Sequence, residues 1–229
     1  MYSHGIATIA LCEAYGMTKD DQLREPAQRA IDFIVAAQHK EGGWRYKPGD
    51  QGDMSVVGWQ VMALKSAQMA SLDVPSGTLD KARKYLESSR KGKDKAEFGY
   101  QKSSGGTPAM TAEGLLCYQY LGAKAGDPQL MRTVEVVSAR PPKHGKDTSY
   151  YWYYGTQAMF HIQGDPWKKW NEGMQEGLLT HPVNDGPNAD TWDPRDNWEK
   201  SGGRIMSTSL RLLMLEVSFR HLPLYQALD

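Results

Sequence analysis

A pattern that recurs about every fifty residues decides what this chain can become. Segments 3–16, 54–70, 107–122, 150–164 and 205–219 share one arrangement of apolar and small residues. Leu11, Leu64 and Leu116 align at spacings of 53 and 52 residues, and Trp59-Gln60-Val61-Met62 matches Thr156-Gln157-Ala158-Met159 at 97, two repeats on. Such a period holds two helices and two connections. A unit that small buries its apolar face only against its neighbours, so the repeats must stack.

The two helices of a unit differ in kind. In 54–70 one face carries Met54, Val57, Val61 and Leu64 and another carries Trp59, Met62 and Met69, as in a helix covered on two sides. In 79–90 a single stripe of Leu79, Ala82, Tyr85 and Leu86 opposes Lys81, Arg83, Lys84 and Glu87, as in a helix that covers a surface. Segment 26–38 repeats that single stripe with Ala27, Ile31, Ile34 and Val35. Alternation of the two kinds describes an all-α ring of helical hairpins, an inner layer wrapped by an outer one, with no substantial sheet. Asp127-Pro128, Asp165-Pro166 and Thr107-Pro108 each join an N-cap residue to a proline at the first helical position. Outer helices are expected near 24–38, 78–90, 127–139 and 166–179, and the fifth inner helix has no outer partner. The chain therefore reads as one domain, 1–229, of about four and a half hairpins. It is expected to be a portion of a longer chain, or to associate with itself through the open ring edges.

Charge narrows the partners. Lys and Arg number 27 against 27 Asp and Glu, which removes the electrostatic basis for holding nucleic acid. The densest basic stretch, 83–95, also holds Glu87 and Asp94 and reads as a solvated helix end. Cys12 and Cys117 lie in apolar helical patterns and read as small buried hydrophobes. No stretch approaches eighteen apolar residues and no leader is recognised, so no membrane segment and, by default, a cytoplasmic location are expected.

The stretch Arg29-Ala30…Phe33-Ile34-Val35…Gln38…Gly42-Gly43-Trp44 resembles the QW repeat of the squalene cyclases, with weaker echoes at Phe98-Gly99-Tyr100 and Gly186…Trp192. Strings 2–11, 58–67 and 202–205, running on to 221–225, resemble bacterial proteins described as prenyltransferase or squalene-oxidase repeat proteins. That resemblance implies an α/α-toroid, the fold also of protein prenyltransferase β-subunits, and it assigns no activity. Trp44 reads as a staple that packs back beneath its helix, with glycine allowing the tight turn.

The motifs of toroid enzymes are then sought residue by residue. The Asp-x-Asp-Asp acid of the cyclases does not occur. Asp147-Thr148-Ser149 and Tyr2-Ser3-His4-Gly5 resemble the two zinc-ligand elements of the prenyltransferases, but Ser149 stands where the thiolate belongs, so no metal and no cofactor are expected. Asp147 and Ser149 then read as N-cap residues. A complement-type Cys-Gly-Glu-Gln run is missing too. Asp185, Asp190, Asp193 and Asp196 stand in a long 183–203 loop, and oxygen ligation of calcium is the functional alternative to plain turn chemistry there.

What is left is the mouth of the ring, where inner-helix N-termini converge. His4, Asp53, Trp59, Asp147, Tyr151, Trp152 and Arg204 are the candidate ligand-binding residues, and no catalytic residue is assigned. The run Tyr150-Tyr151-Trp152-Tyr153-Tyr154 must turn some rings inward, either to line a pocket or to fill the space between layers. The first functional expectation is a repeat domain that binds a ligand or protein partner through its concave mouth. The alternatives are an isoprenoid-handling enzyme with an apolar ligand, and a polysaccharide-acting toroid with a carbohydrate ligand.

Overall fold

The computed structural model describes residues 1–220; the 221–225 string used in the resemblance lies outside the described residues. Its elements run α1 (Tyr2–Thr18), α2 (Asp21–Ala36), α3 (Met54–Met69), α4 (Ser76–Ser88), β1 (Arg90–Lys91), β2 (Glu97–Phe98), α5 (Pro108–Tyr120), α6 (Pro128–Ser138), α7 (Ser149–Ile162), α8 (Gly164–Leu179), α9 (Asn197–Leu215) and α10 (Val217–Arg220). The odd helices α1 to α9 pack side by side in chain order, while α2, α4, α6 and α8 lie against them from outside. This is the α/α-toroid read from the repeat. The two-residue strands pair antiparallel, Arg90 opposite Phe98, and only brace the α4–α5 connection.

Burial follows the two helix types. Every residue from Val56 to Leu64 of α3 is buried, whereas α2 buries the stripe Ala27, Ile31 and Ile34. Each of the first four inner helices also brings a glycine into close contact with a neighbour. A Cβ on Gly58 would meet Glu113 at 2.0 Å, one on Gly114 would meet Phe98 at 2.3 Å, and one on Gly155 would meet Trp170 at 2.3 Å. Gly5 stands in the same relation to Gln60 at 2.6 Å. The repeat thus conserves a small residue because the layers approach too closely for a side chain.

Caps set the helix starts. Asp53, Thr107 and Asp127 accept backbone N–H groups of their own first turns, each worth about 1 kcal/mol. Two expected caps are corrected. Thr148 caps α7, not Asp147 or Ser149, and Asp147 instead takes a left-handed conformation at φ 61°. Helix α8 begins at Gly164, ahead of Asp165, and its N-cap Gln163 makes no side-chain capping bond.

The QW element works as a staple. Trp44 is buried and its indole N–H donates to Ile34 O at 2.8 Å, while Gln38 donates to Gly42 O and to Thr78 O, both at 3.0 Å. One glutamine therefore ties the end of α2 to its own turn and to the next outer helix. Gly42, at φ 95°, has Lys81 O where a Cβ would stand. Trp192 repeats the device with Leu178 O at 3.0 Å.

The 183–203 segment is not loop throughout. It contains a 3₁₀ turn at Gly186–Asn188 and the first turns of α9, which break at Gly203 (φ 75°) before the inner-helix run. Both ends of the inner series stay bare on one flank. Ser3, Ile6, Ala7 and Ala10 of α1 are exposed, as are Ile205 and Leu212 of α9 and Phe219 beyond it.

Candidate functional site

The seven mouth residues do not form one cluster. His4 turns away from the ring: its Nε2 bonds Ala30 O at 2.9 Å and its ring lies on Phe33. Tyr151 points outward as well, donating to Arg140 O at 2.7 Å and meeting Trp170 edge-on. Trp59 is enclosed at the ring centre, stacked 5.5 Å from Tyr153 and tilted 5.9 Å from Tyr154. Arg204 pairs with Asp193 and donates to Thr191 at 2.9 Å. Asp53 remains at the mouth, and Asp147 and Trp152 share a cavity at the rim.

Around Asp53 the mouth is a closely bonded polar network. The carboxylate accepts from Ser55 Oγ at 2.7 Å and Tyr100 OH at 3.2 Å and pairs with Arg45 at 3.3 Å. Tyr2 donates to Ser55, and the Tyr46 and Tyr100 hydroxyls are hydrogen-bonded to each other at 2.6 Å. Burial still pushes the Asp53 carboxyl above the usual carboxylate range, against these bonds. Deeper in, Glu113 of α5 is wholly enclosed. Its Oε1 accepts Gly58 N–H at 3.0 Å, and Oε2 has no partner among the described residues. Desolvation, then repulsion from Asp53, pushes Glu113 well above the carboxylate range, so it is held as the neutral acid. Tyr150 and Tyr154 stack 6.2 Å apart in the same region.

The rim cavity is open and has a volume of about 250 Å³. It lies where α7 begins and where the 183–203 segment enters α9. Trp152, Leu178 and Met214 make its apolar wall. A buried ion pair forms another part of the wall, with Arg211 Nη1 2.5 Å from Glu199 Oε1. Glu199 Oε2 accepts Arg195 N–H at 2.6 Å, and Arg195 Nη1 lies 2.9 Å from His144 Nδ1. Asp196 fastens the two helix starts together. Its Oδ1 accepts Trp198 and Glu199 N–H at 2.8 and 2.9 Å, and its Oδ2 accepts Ser149 N–H and Oγ–H at 2.9 and 3.1 Å. With Asp193 on Arg204 and Asp196 so engaged, the four loop aspartates do not converge on a cation position. No cluster of three or more ligating side chains occurs among the described residues.

A larger cavity of about 610 Å³ opens at the other end of the ring, lined by Ile9, Met62, Met69, Tyr120, Tyr153 and Phe219. Cys12 stands in its wall with its thiol pushed up to about 11 by burial, which keeps it protonated.

Sequence reading missed Glu113, Glu199 and Arg211. Glu113 carried a signal: a lone charge inside an all-round apolar helix, as in Ala112-Glu113-Gly114-Leu115, requires a partner or a purpose. Glu199 stood in a segment read as loop, where no helical face could be assigned.

Fold and site together define an α/α-toroid with a mixed polar and aromatic cavity at one rim. No family model matches the chain, and no curated protein sequence matches it. Solved structures do. An inactive variant of the α-1,6-mannanase GH76A of Salegentibacter sp. HEL1_6, in complex with α-1,6-mannotriose, matches with a TM-score of 0.63 and 13% identity over 95% of this chain and 74% of that one. A second inactive variant, in complex with α-1,6-mannotetrose, matches with a TM-score of 0.62 and 12% identity over the same shares, 95% and 74%. At that identity the likeness establishes the toroid fold. Both structures are of a glycoside hydrolase, so they support the toroid and not the cyclase or prenyltransferase assignment. No helix among the described residues is long and apolar enough to cross a membrane.

Proposed function

We propose that this chain is a carbohydrate-binding α/α-toroid that holds its ligand at the rim without cleaving it. The rim cavity carries the reading. It sets an aromatic and apolar wall beside charged hydrogen-bonding groups, the combination that fits the apolar faces and hydroxyl edges of a pyranose. Two of the structures that match, variants of one mannanase, were solved with manno-oligosaccharides bound.

Binding without hydrolysis is supported by where the carboxyl groups stand. Glycoside cleavage takes two carboxyls roughly 5–10 Å apart across the scissile bond, one of them protonated. At the rim Asp196 and Glu199 are both committed to internal hydrogen bonds. Glu113, whose burial favours the protonated acid, is sealed inside. The inactive mannanase variants replace two consecutive aspartates. The consecutive aspartates of this chain, Asp20 and Asp21, stand exposed at the start of the outer helix α2.

Calorimetric titration with a panel of neutral and acidic oligosaccharides, α-1,6-mannotriose among them, tests this. Saturable binding with no new reducing ends is expected. Release of reducing ends would overturn the non-catalytic part, and a folded protein that binds nothing in the panel would overturn the whole.

The 610 Å³ cavity favours a second reading, an apolar isoprenoid-type ligand held at the opposite end. Farnesol should then raise the melting temperature and Met62→Lys should abolish the rise; no rise with the parent protein sinks this reading.

A further inference from the structure

The donors and acceptors of the rim cavity are out of balance. Its carboxylates are largely spent: Asp196 accepts four bonds, and Glu199 is shared between Arg211 and the Arg195 backbone. Asp147 is drawn to Arg140, whose Nε and Nη2 lie 2.6 and 2.5 Å from its Oδ1. The cationic donors are not spent. Arg211 is more than nine-tenths buried, yet only Nη1 is used, on Glu199 and on Ser207 O at 2.9 Å. Its Nε and Nη2 have no partner among the described residues, and neither is sealed from solvent. Arg195 uses only Nη1, and Lys146 stands exposed on the same wall. The guanidinium of Arg195 is held below its ordinary range first by partial burial and only second by the nearby Arg211.

A neutral sugar brings hydroxyls that need acceptors as often as donors, and here free acceptors are few. An oxyanion needs donors alone, and guanidinium groups present them in forks that can meet two of its oxygens at once. Resting on the carbohydrate reading, we propose that the rim cavity takes an acidic saccharide, its oxyanion seated between Arg195 and Arg211 and its ring against Trp152, Leu178 and Met214. The oxyanion is a uronic carboxylate or a sulfate ester, which present the same chemistry to these donors. The cavity volume of about 250 Å³ suits a single sugar unit, so recognition centres on one acidic residue of the glycan.

The test titrates the intact chain with a glucuronic-acid-containing trisaccharide, a sulfated trisaccharide and neutral α-1,6-mannotriose, at low and high sodium chloride. At least one acidic sugar should bind about tenfold or more tighter than mannotriose, with the advantage shrinking as salt rises. Which acidic sugar wins identifies the oxyanion. Arg195→Gln should cost about tenfold for that sugar and clearly less for mannotriose, and the fold should hold because the side chain is exposed and the Glu199 contact uses its backbone. Circular dichroism checks that the variant folds. Arg211→Lys, which keeps the buried charge but loses the fork, should weaken the acidic sugar more than mannotriose. Mannotriose binding as tightly as the acidic sugars would overturn the proposal while leaving the carbohydrate reading intact. No binding of any of the three by folded protein would sink both.

Discussion

Glu113 shows at the scale of one residue how the ring interior spends stability. A carboxyl with one hydrogen bond and no solvent contact stays protonated in the fold, while the unfolded chain ionises in the usual carboxylate range. Above that range the unfolded chain holds fewer protons than the folded one, so stability falls as pH rises until the buried acid itself ionises. Below it both states are protonated and nothing is lost. Glu113→Gln keeps the Oε1 acceptor for Gly58 and cannot ionise. The variant should melt higher than the parent at pH 7, by about 3 °C for each kcal/mol regained, with the gap closing near pH 4. Thermal unfolding monitored by circular dichroism checks this, and an equal gap at both pH values would mean that Glu113 is ionised in the folded chain.

At the scale of the element, the hairpin is where the sequence was most readable. Inner and outer helices, their order and the QW staple follow from apolar spacing, because a helix buried on two sides and one buried on one side demand different patterns. Side-chain direction within the mouth was not readable. Tyr151 and Trp152 are neighbours in sequence, yet Tyr151 reaches the end of α6 and Trp170 while Trp152 lies against Gly177, and His4 faces α2, which helix phase against an unseen partner decides. Charges at the rim were hidden for another reason: Glu199 and Arg211 meet only after the chain turns at Gly203. The close approach of layers yields a prediction of its own. Gly155→Ala places a methyl 2.3 Å from Trp170, whose indole N–H is fixed to Thr156 Oγ1 at 2.9 Å and cannot yield freely. A loss of about 1–3 kcal/mol is expected in urea unfolding. Gly77→Ala, with open space around it, is the control and should change stability by less than about 1 kcal/mol in either direction.

At the scale of the molecule, the unusual feature is that the inner series has ends. Helices α3, α5 and α7 each have an inner neighbour on both sides, whereas α1 has only α3, with α2 outside it. Its exposed Ser3, Ile6, Ala7 and Ala10 mark the side where a neighbour is wanting. An ion pair reaches across among the described residues. Arg220 of α10 grips both carboxylate oxygens of Glu13 at 2.8 Å, linking positions 207 residues apart. The pair is about a quarter exposed, so screening limits it to roughly 1 kcal/mol despite its forked geometry. That is small against the whole fold and large against the local stability of a helix held on one flank. Glu13→Gln should therefore leave global unfolding nearly unchanged while speeding hydrogen exchange of α1 amides by roughly fivefold, with no matching change in α5 or α7. High salt should reproduce part of the effect in the parent chain. If α1 exchange is unmoved by the substitution, α2 and α3 hold it unaided and the Arg220 contact closes nothing.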